Sequence, residues 1–117
     1  MAEGFARAYG DDVLIASSAG LSPASIVAPD TIRVMAEKNI DIRRQFPKGL
    51  IEFRSHQYDL IVNISGFHLP RGITTPVRDW DVDDPIGEDW NTYCRVRDEI
   101  ERLVMNFILE LRRARKS

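Results

Sequence analysis

The sequence predicts an α/β domain built around a short parallel sheet. Two short apolar runs, residues 13–18 and 59–65, have the length and composition of buried strands. They alternate with segments of helical periodicity, of which residues 88–114 are the longest. Strands that alternate with helices favour parallel pairing, because a crossover helix returns the chain to the same end of the sheet. With 117 residues the chain is long enough for one domain, residues 1–117, with its own core.

Helix signals dominate the N-terminal half outside the strand at 13–18. Residues 1–9 have helical character, and Gly10-Asp11-Asp12 predicts a stop. Pro29 and Asp30 open a second helix, since proline fits the first helical turn and an acid favours it. This helix should end near Asn39. Residues 47–55 are predicted as a further short helix.

The C-terminal half combines an edge strand with the long helix. Residues 77–82 alternate as an edge strand would, which puts Val77, Asp79 and Asp81 on one face. The long helix repeats apolar residues at spacings of three and four, so they form one stripe for the core. The stripe consists of Tyr93, Val96, Ile100, Leu103, Val104, Phe107 and Leu111. Met105 and Leu109 fall outside it.

Charge and cysteine content exclude several classes of protein. The chain has 16 basic and 18 acidic residues, a net charge of −2, which argues against nucleic-acid binding. The basic residues at 112–116 complement the negative end of the helix dipole. One cysteine, Cys94, cannot form a disulfide within the chain and fits a reducing cytoplasm. No signal peptide is recognised, and no apolar run has the roughly 20 residues of a membrane span.

The two histidines do not predict a metal site. His56 and His68 lack partner histidines or cysteines at the spacing of metal ligands. We therefore expect neither a metal nor a cofactor.

A collinear set of motifs identifies a family resemblance. The set begins with Met1-Ala2-Glu3-Gly4-Phe5-Ala6-Arg7 and continues through Ser18-Ala19-Gly20, Asp59-Leu60-Ile61-Val62 and Asp83-Asp84-Pro85. It resembles the low-molecular-weight tyrosine phosphatase and thioredoxin-coupled arsenate reductase family. The stretches 80–87 and 95–100 resemble the arsenate reductase branch. The resemblance implies a three-layer sandwich whose parallel sheet has the order 2-1-3-4.

The resemblance also implies what these residues lack. In the family, the helix that begins with Met-Ala-Glu-Gly follows a phosphate-binding loop, C-x5-R-[ST], which supplies a cysteine nucleophile and an oxyanion-binding arginine. The sequence contains no such loop, so we expect a domain that lacks the family's first strand and is catalytically incompetent. Cys94 lies within the predicted long helix and is expected to be a structural residue.

The same resemblance assigns roles to two residues. Asp84, which precedes Pro85, matches the family's general acid and is expected to be a relict of it; the alternative is a simple Asp-Asp-Pro turn. Ser18 would brace the phosphate-binding loop, or else simply end a strand. Ser65 and residues 67–70 stand where the reductase branch carries two further cysteines.

Three interpretations of the function remain open. The leading one is an incompetent phosphatase or arsenate reductase relative. The second is an active cysteine-dependent phosphatase, or an arsenate reductase using an external thiol, whose true start lies about 15–20 residues upstream. The third is a non-catalytic interaction domain.

Two binding partners are expected. With the loop restored, the ligand would be a phosphate-like or arsenate-like oxyanion. Without the first strand, residues 13–17 and 59–65 would each lose a neighbour, so these strands should pair directly or a homodimer should cover the gap. Met105 and Leu109 are the expected contributors to such a contact.

Overall fold

The computed structural model describes residues 1–16, 29–43, 58–64, 69, 73–83, 85 and 88–116. Three helices and two strands occur in these residues, in the order α1, α2, β1, β2, α3. Their bounds are Ala2–Gly10, Pro29–Ala36, Ile61–Asn63, Val77–Asp79 and Trp90–Lys116. The predicted α/β class with a short parallel sheet is confirmed, while the predicted helix at 47–55 lies outside the described residues.

The core of the described residues lies between the three helices. Helices α1 and α2 both pack on α3, and the turn after α2 adds two isoleucines. The buried apolar side chains are Phe5, Val34, Met35, Ile40, Ile42, Tyr93, Val96, Ile100, Val104 and Ile108. An apolar stripe on each helix therefore meets at one centre, as the helical periodicity requires.

Close packing of α1 requires glycine where it crosses its neighbours. A Cβ atom added at Gly10 would lie 2.8 Å from two carbons of Ile108 on α3. One added at Gly4 would lie 2.8 Å from Cγ2 of Ile42. Gly10 thus serves two purposes, since it ends α1 as predicted and lets the helix approach α3.

Helix α2 ends in a Schellman motif. The N–H of Ile40 donates to Met35 O and the N–H of Asn39 donates to Ala36 O, at 3.1 and 2.9 Å. Asn39 has φ of 59°, the left-handed conformation that such an end requires and that asparagine tolerates. The regular helix thus ends at Ala36 and its capping turn reaches Asn39, near the predicted end, and Ile40 is turned into the core beside Met35.

The sheet pairs β1 with β2 in parallel. Ile61 lies opposite Val77, Val62 opposite Arg78, and Asn63 opposite Asp79. All three residues of β2 are exposed, which agrees with the predicted edge strand. Strand β1 is shorter than the strand predicted at 59–65, because its regular pairing begins only at Ile61.

The predicted strand at 13–18 is wrong for the part that the structure describes. The N–H groups of Val13 and Leu14 both donate to Gly10 O at 3.0 Å, so the chain continues the turn that ends α1. Both side chains are half-buried against the helical core, whereas Ile15 is 98% exposed. Packing against the helices thus replaces strand pairing here, and β1 pairs with β2 rather than with this segment.

Helix α3 follows the predicted stripe with one omission. Tyr93, Val96, Ile100 and Val104 are buried, and the stripe continues into Ile108, which the sequence analysis missed. Three predicted stripe residues are half-buried, namely Leu103, Phe107 and Leu111. The apolar face rotates slowly around a straight helix because 3.6 residues per turn does not match a repeat of seven.

Candidate functional site

The carboxyl ends of β1 and β2 form the end of the sheet at which open α/β domains bind ligands. Asn63 ends β1 and is buried, and its Nδ2 donates to Oδ1 of Asp79 on β2 at 2.9 Å. The N–H of Trp80 donates to Asn63 O, also at 2.9 Å, which fixes where the chain leaves β2. This polar pair between strands holds the start of the following acidic segment in place.

The segment after β2 carries the predicted acid. Nη1 of Arg95 on α3 lies 3.8 Å from Oδ2 of Asp83. Pro85 is buried, and the N–H of Glu88 donates to Pro85 O at 2.9 Å. Asp84 itself lies outside the described residues, so its role stays a prediction, although both of its neighbours in sequence are described.

Four other residues of the sequence analysis also lie outside the described part of the chain. They are Ser18, His56, Ser65 and His68. The predicted bracing role of Ser18 therefore stays a prediction too.

Asp89 begins the long helix as its N-cap. Its Oδ1 accepts the N–H of Thr92 at 2.9 Å, which satisfies one of the first free N–H groups of α3. The hydroxyl of Thr92, together with this N–H, lowers the pKa of Asp89 below its ordinary value of 3.8. The cap defines how the segment that contains Asp84 joins α3.

Cys94 lies in the first half of α3 and is half-buried. Its Sγ is 3.9 Å from Oε1 of Glu37, just after α2. The surrounding backbone is helical, since the N–H of Tyr93 already donates to Asp89 O at 3.1 Å. The residue six positions further on, where the family motif has arginine, is Ile100. Within the part of the chain that the structure describes, the helical backbone therefore provides no cradle of free N–H groups for this thiol.

A buried arginine beside this thiol was missed by the sequence analysis. Arg97 is buried, and its Nη1 donates to Val34 O in the last turn of α2 at 3.0 Å. Nε donates to Asp98 at 2.9 Å, and Glu37 lies 3.5 Å from Nη1. Burial opposes the charge of Arg97, but these acids outweigh it and raise its pKa. Only its place on the apolar side of the helix, next to Val96, could have signalled burial.

The described residues contain neither a metal-binding cluster nor a helix suited to a membrane. No group of three or more histidine, cysteine, aspartate or glutamate residues could hold a metal ion there. Within the same part of the chain, no helix combines the length and apolar character that crossing a membrane would need.

Known proteins match the chain over nearly its full length. A glutaredoxin arsenate reductase of Synechocystis sp. is 31% identical over 115 residues, which is 95% of this chain and 87% of that protein. Arsenate reductase 1 of Bacillus cereus is 36% identical over 104 residues, or 86% of this chain and 77% of that protein.

Solved structures agree. One described as an arsenate reductase in the phosphate binding state superimposes with a TM-score of 0.85 at 32% identity, covering 94% of this chain and 86% of that one. Arsenate reductase from Archaeoglobus fulgidus gives a TM-score of 0.80 at 32% identity, covering 92% and 86%. The family described as low molecular weight phosphotyrosine protein phosphatase matches residues 1–117. The proteins and structures named above are arsenate reductases, and the chain belongs to the low-molecular-weight phosphotyrosine protein phosphatase family.

Proposed function

We propose that the chain serves the oxyanion chemistry of the arsenate reductase branch, and that these 117 residues alone are catalytically incompetent. The surroundings of Cys94 carry this proposal. A cysteine of this family attacks an oxyanion that backbone N–H groups and an arginine hold, because the thiolate and the anion would otherwise repel each other. Cys94 faces the carboxylate of Glu37 from within a regular helix instead.

Names of the relatives support the substrate class. Two of them are named arsenate reductases, and a similar structure is described as being in the phosphate binding state. Arsenate and phosphate have the same shape and charge, so one anion site accommodates both. We propose the same ligand class for this chain, and a reducing cytoplasm as its location.

The direct test measures turnover by this chain without additions. We expect no hydrolysis of p-nitrophenyl phosphate and no arsenate reduction with glutathione and glutaredoxin, and the same result for Cys94→Ser. Turnover that Cys94→Ser abolishes would make Cys94 a nucleophile and would refute the proposal. A thermal shift with phosphate tests the ligand class separately, since protection shows that part of the anion site is present.

Asp84 is proposed as the general acid of the site. An alkoxide or phenolate leaves poorly until it is protonated, and Pro85 restricts the backbone of Asp84 to extended conformations. Its test uses the chain fused at Met1 to a strand and C-x5-R-S loop of an active relative. If the fusion turns over p-nitrophenyl phosphate, Asp84→Asn should lower kcat by about 10²–10⁴. The matched control is Asp83→Asn, which should change kcat little.

Ser18 is proposed to brace that loop. In the same fusion, Ser18→Ala should weaken phosphate protection while leaving the pH dependence of kcat unchanged. A fusion that binds phosphate equally well with and without the Ser18 hydroxyl would argue against this role.

Self-association is proposed for the edge of β1 that faces away from β2. The N–H of Ile61 donates to Pro76 O, so Ile61 and Asn63 face β2, and alternation turns the backbone groups of Val62 to the other edge. A second copy would pair with that edge. Light scattering after size exclusion should give the mass of two chains, and a monomer at all concentrations would refute it.

Neither of the two residues expected at this contact suits it. Met105 is half-buried against the helical core. Leu109 lies about 200° around α3 from Phe107, the residue that faces Arg78 and Trp80 beside the sheet. Leu109 thus points away from the sheet and is available for a different contact.

A further inference from the structure

The outer side of α3 presents an exposed row of four residues. Arg102, Asn106, Leu109 and Arg113 follow each other at spacings of four, three and four, so they share one face of the helix. We call this row the outer stripe. All four side chains are exposed, and Leu109 keeps 41% of its surface in contact with solvent. The core side of α3, with Val104 and Ile108, faces the opposite way.

The unpaired charge of the outer stripe is positive. Neither Arg102 nor Arg113 makes an ion pair or a side-chain hydrogen bond with the described residues. The exposed acids nearby already pair with basic side chains outside the stripe. Asp98 pairs with Arg97 and Lys38, and Glu110 lies 2.7 Å from Nη1 of Arg78.

One acid continues the stripe at its N-terminal end. Glu99 is half-buried, lies one turn before Arg102, and makes no ion pair within the described residues. Beyond it, the stripe runs to Arg113 without another acid on its own face. A local positive surface therefore exists on a chain whose net charge is −2.

The geometry selects a helix over other anionic partners. Arg102 and Arg113 lie about 16 Å apart along the axis, at 1.5 Å per residue, with Leu109 between them. Spacings of three and four match the ridges of a second helix lying along the first. A membrane surface would need a broad apolar face, whereas the apolar face of α3 is in the core. Nucleic acid would need many more cations.

We propose that the outer stripe docks an acidic amphipathic helix of a partner protein. Two carboxylates eleven residues apart on that helix meet Arg102 and Arg113, and an apolar side chain between them covers Leu109. Charge provides orientation and encounter rate, and burial of Leu109 slows dissociation. This proposal does not depend on the proposed chemistry, because none of its residues belongs to that site.

The test uses a labelled synthetic helical peptide of about 20 residues that carries glutamates eleven positions apart with leucine between them. A control peptide has the same composition with the glutamates on opposite faces. Fluorescence anisotropy should show the aligned peptide binding about tenfold more tightly than the control, and salt should weaken that binding. Equal binding of both peptides, or no binding, would overturn the proposal.

Variants of the chain assign the binding to the stripe. The double variant Arg102→Glu with Arg113→Glu should bind about tenfold more weakly, since each ion pair becomes a repulsion. Arg102→Gln with Arg113→Gln should lie between it and the parent. Arg43→Glu is the control, because it makes the same kind of substitution, with half the charge change of the double variant, at an exposed arginine of a different segment. Circular dichroism of each variant confirms folding.

Other anions provide the remaining comparison. Vesicles containing phosphatidylserine and a short duplex DNA are titrated against the same proteins. The proposal is supported if vesicles and DNA bind weakly and with the same affinity to the parent and to the stripe variants. Binding to either that is tighter than to the aligned peptide, and lost in the double variant, would overturn it.

Discussion

The helical layer and the two-stranded sheet differ in how fully they bury their side chains. Phe5 on α1 and Ile108 on α3 have no solvent exposure at all, whereas every residue of β2 is exposed. Strand β2 is attached to α3 by side chains instead, through the guanidinium of Arg78, which stacks 5.1 Å from the Phe107 ring centroid. Among the described residues, burial of apolar side chains therefore occurs mainly between the helices, so truncating a side chain there should cost more stability than truncating one on β2.

Truncating the centre of the helical layer should have the largest effect. Phe5→Ala removes a fully buried ring, and we expect about 3–5 kcal/mol loss of unfolding free energy because the cavity cannot close. Urea denaturation followed by circular dichroism measures it. The control Val77→Ala, on the exposed strand, should stay within about 0.5 kcal/mol. Equal losses of unfolding free energy in both variants would show that the exposed strand contributes as much to stability as the helical core.

Removing the buried arginine should have the next largest effect. Arg97→Met leaves Val34 O without its guanidinium donor, and we expect a loss of about 1.5–3 kcal/mol. Arg43→Met is the control, since Arg43 is exposed and bonds only to Asp41 among the described residues. The same urea titration applies. An unchanged midpoint for Arg97→Met would mean that apolar packing alone joins α2 to α3.

A smaller loss is expected at the contact of α1 with α3. Tyr9 Oη donates to Oε2 of Glu101 at 2.8 Å, and Tyr9→Phe should cost about 0.5–1.5 kcal/mol. Burial, followed by this bond to Glu101, raises the pKa of Tyr9 above its ordinary value of 10.0. The protonated form is therefore favoured by folding. The extra stability of the parent over Tyr9→Phe is therefore fully present below pH 10 and is lost as the pH rises through the folded-state pKa of Tyr9. Urea denaturation of both proteins at pH 7 and above pH 10 measures this difference.

The smallest effect concerns the exposed cap that joins the site segment to α3. The pKa of Asp89 is lowered in the folded state, so its contribution is present above its ordinary pKa of 3.8 and is lost as pH falls through the lower folded-state value. Asp89→Asn keeps a capping oxygen without the titration. Thermal unfolding between pH 5 and pH 2 should therefore fall more steeply for the parent than for the variant. Parallel curves would show that the charge of Asp89 contributes nothing.

Local patterns predicted the helices well. The Pro29-Asp30 start and the Asn39 end of α2, the stop at Gly10 and the stripe of α3 each follow from backbone chemistry or helical period, which act over one or two turns. The motif set also predicted the family, because a collinear series of short matches carries more information than any one of them.

Long-range packing decided the rest. The run at 13–16 has the composition of a strand, but a strand needs a neighbour to satisfy its N–H and C=O groups, and the turn at Gly10 with burial against the helices was the available alternative. The burial of Arg97 beneath the end of α2 is likewise invisible in the sequence, since its partner Val34 lies 63 positions away. The sequence by itself determined the family, the helices and the absence of a C-x5-R loop in these 117 residues. Only the tertiary structure decided that β1 pairs with β2 and that Cys94 lies against Glu37, because these contacts depend on where distant segments meet.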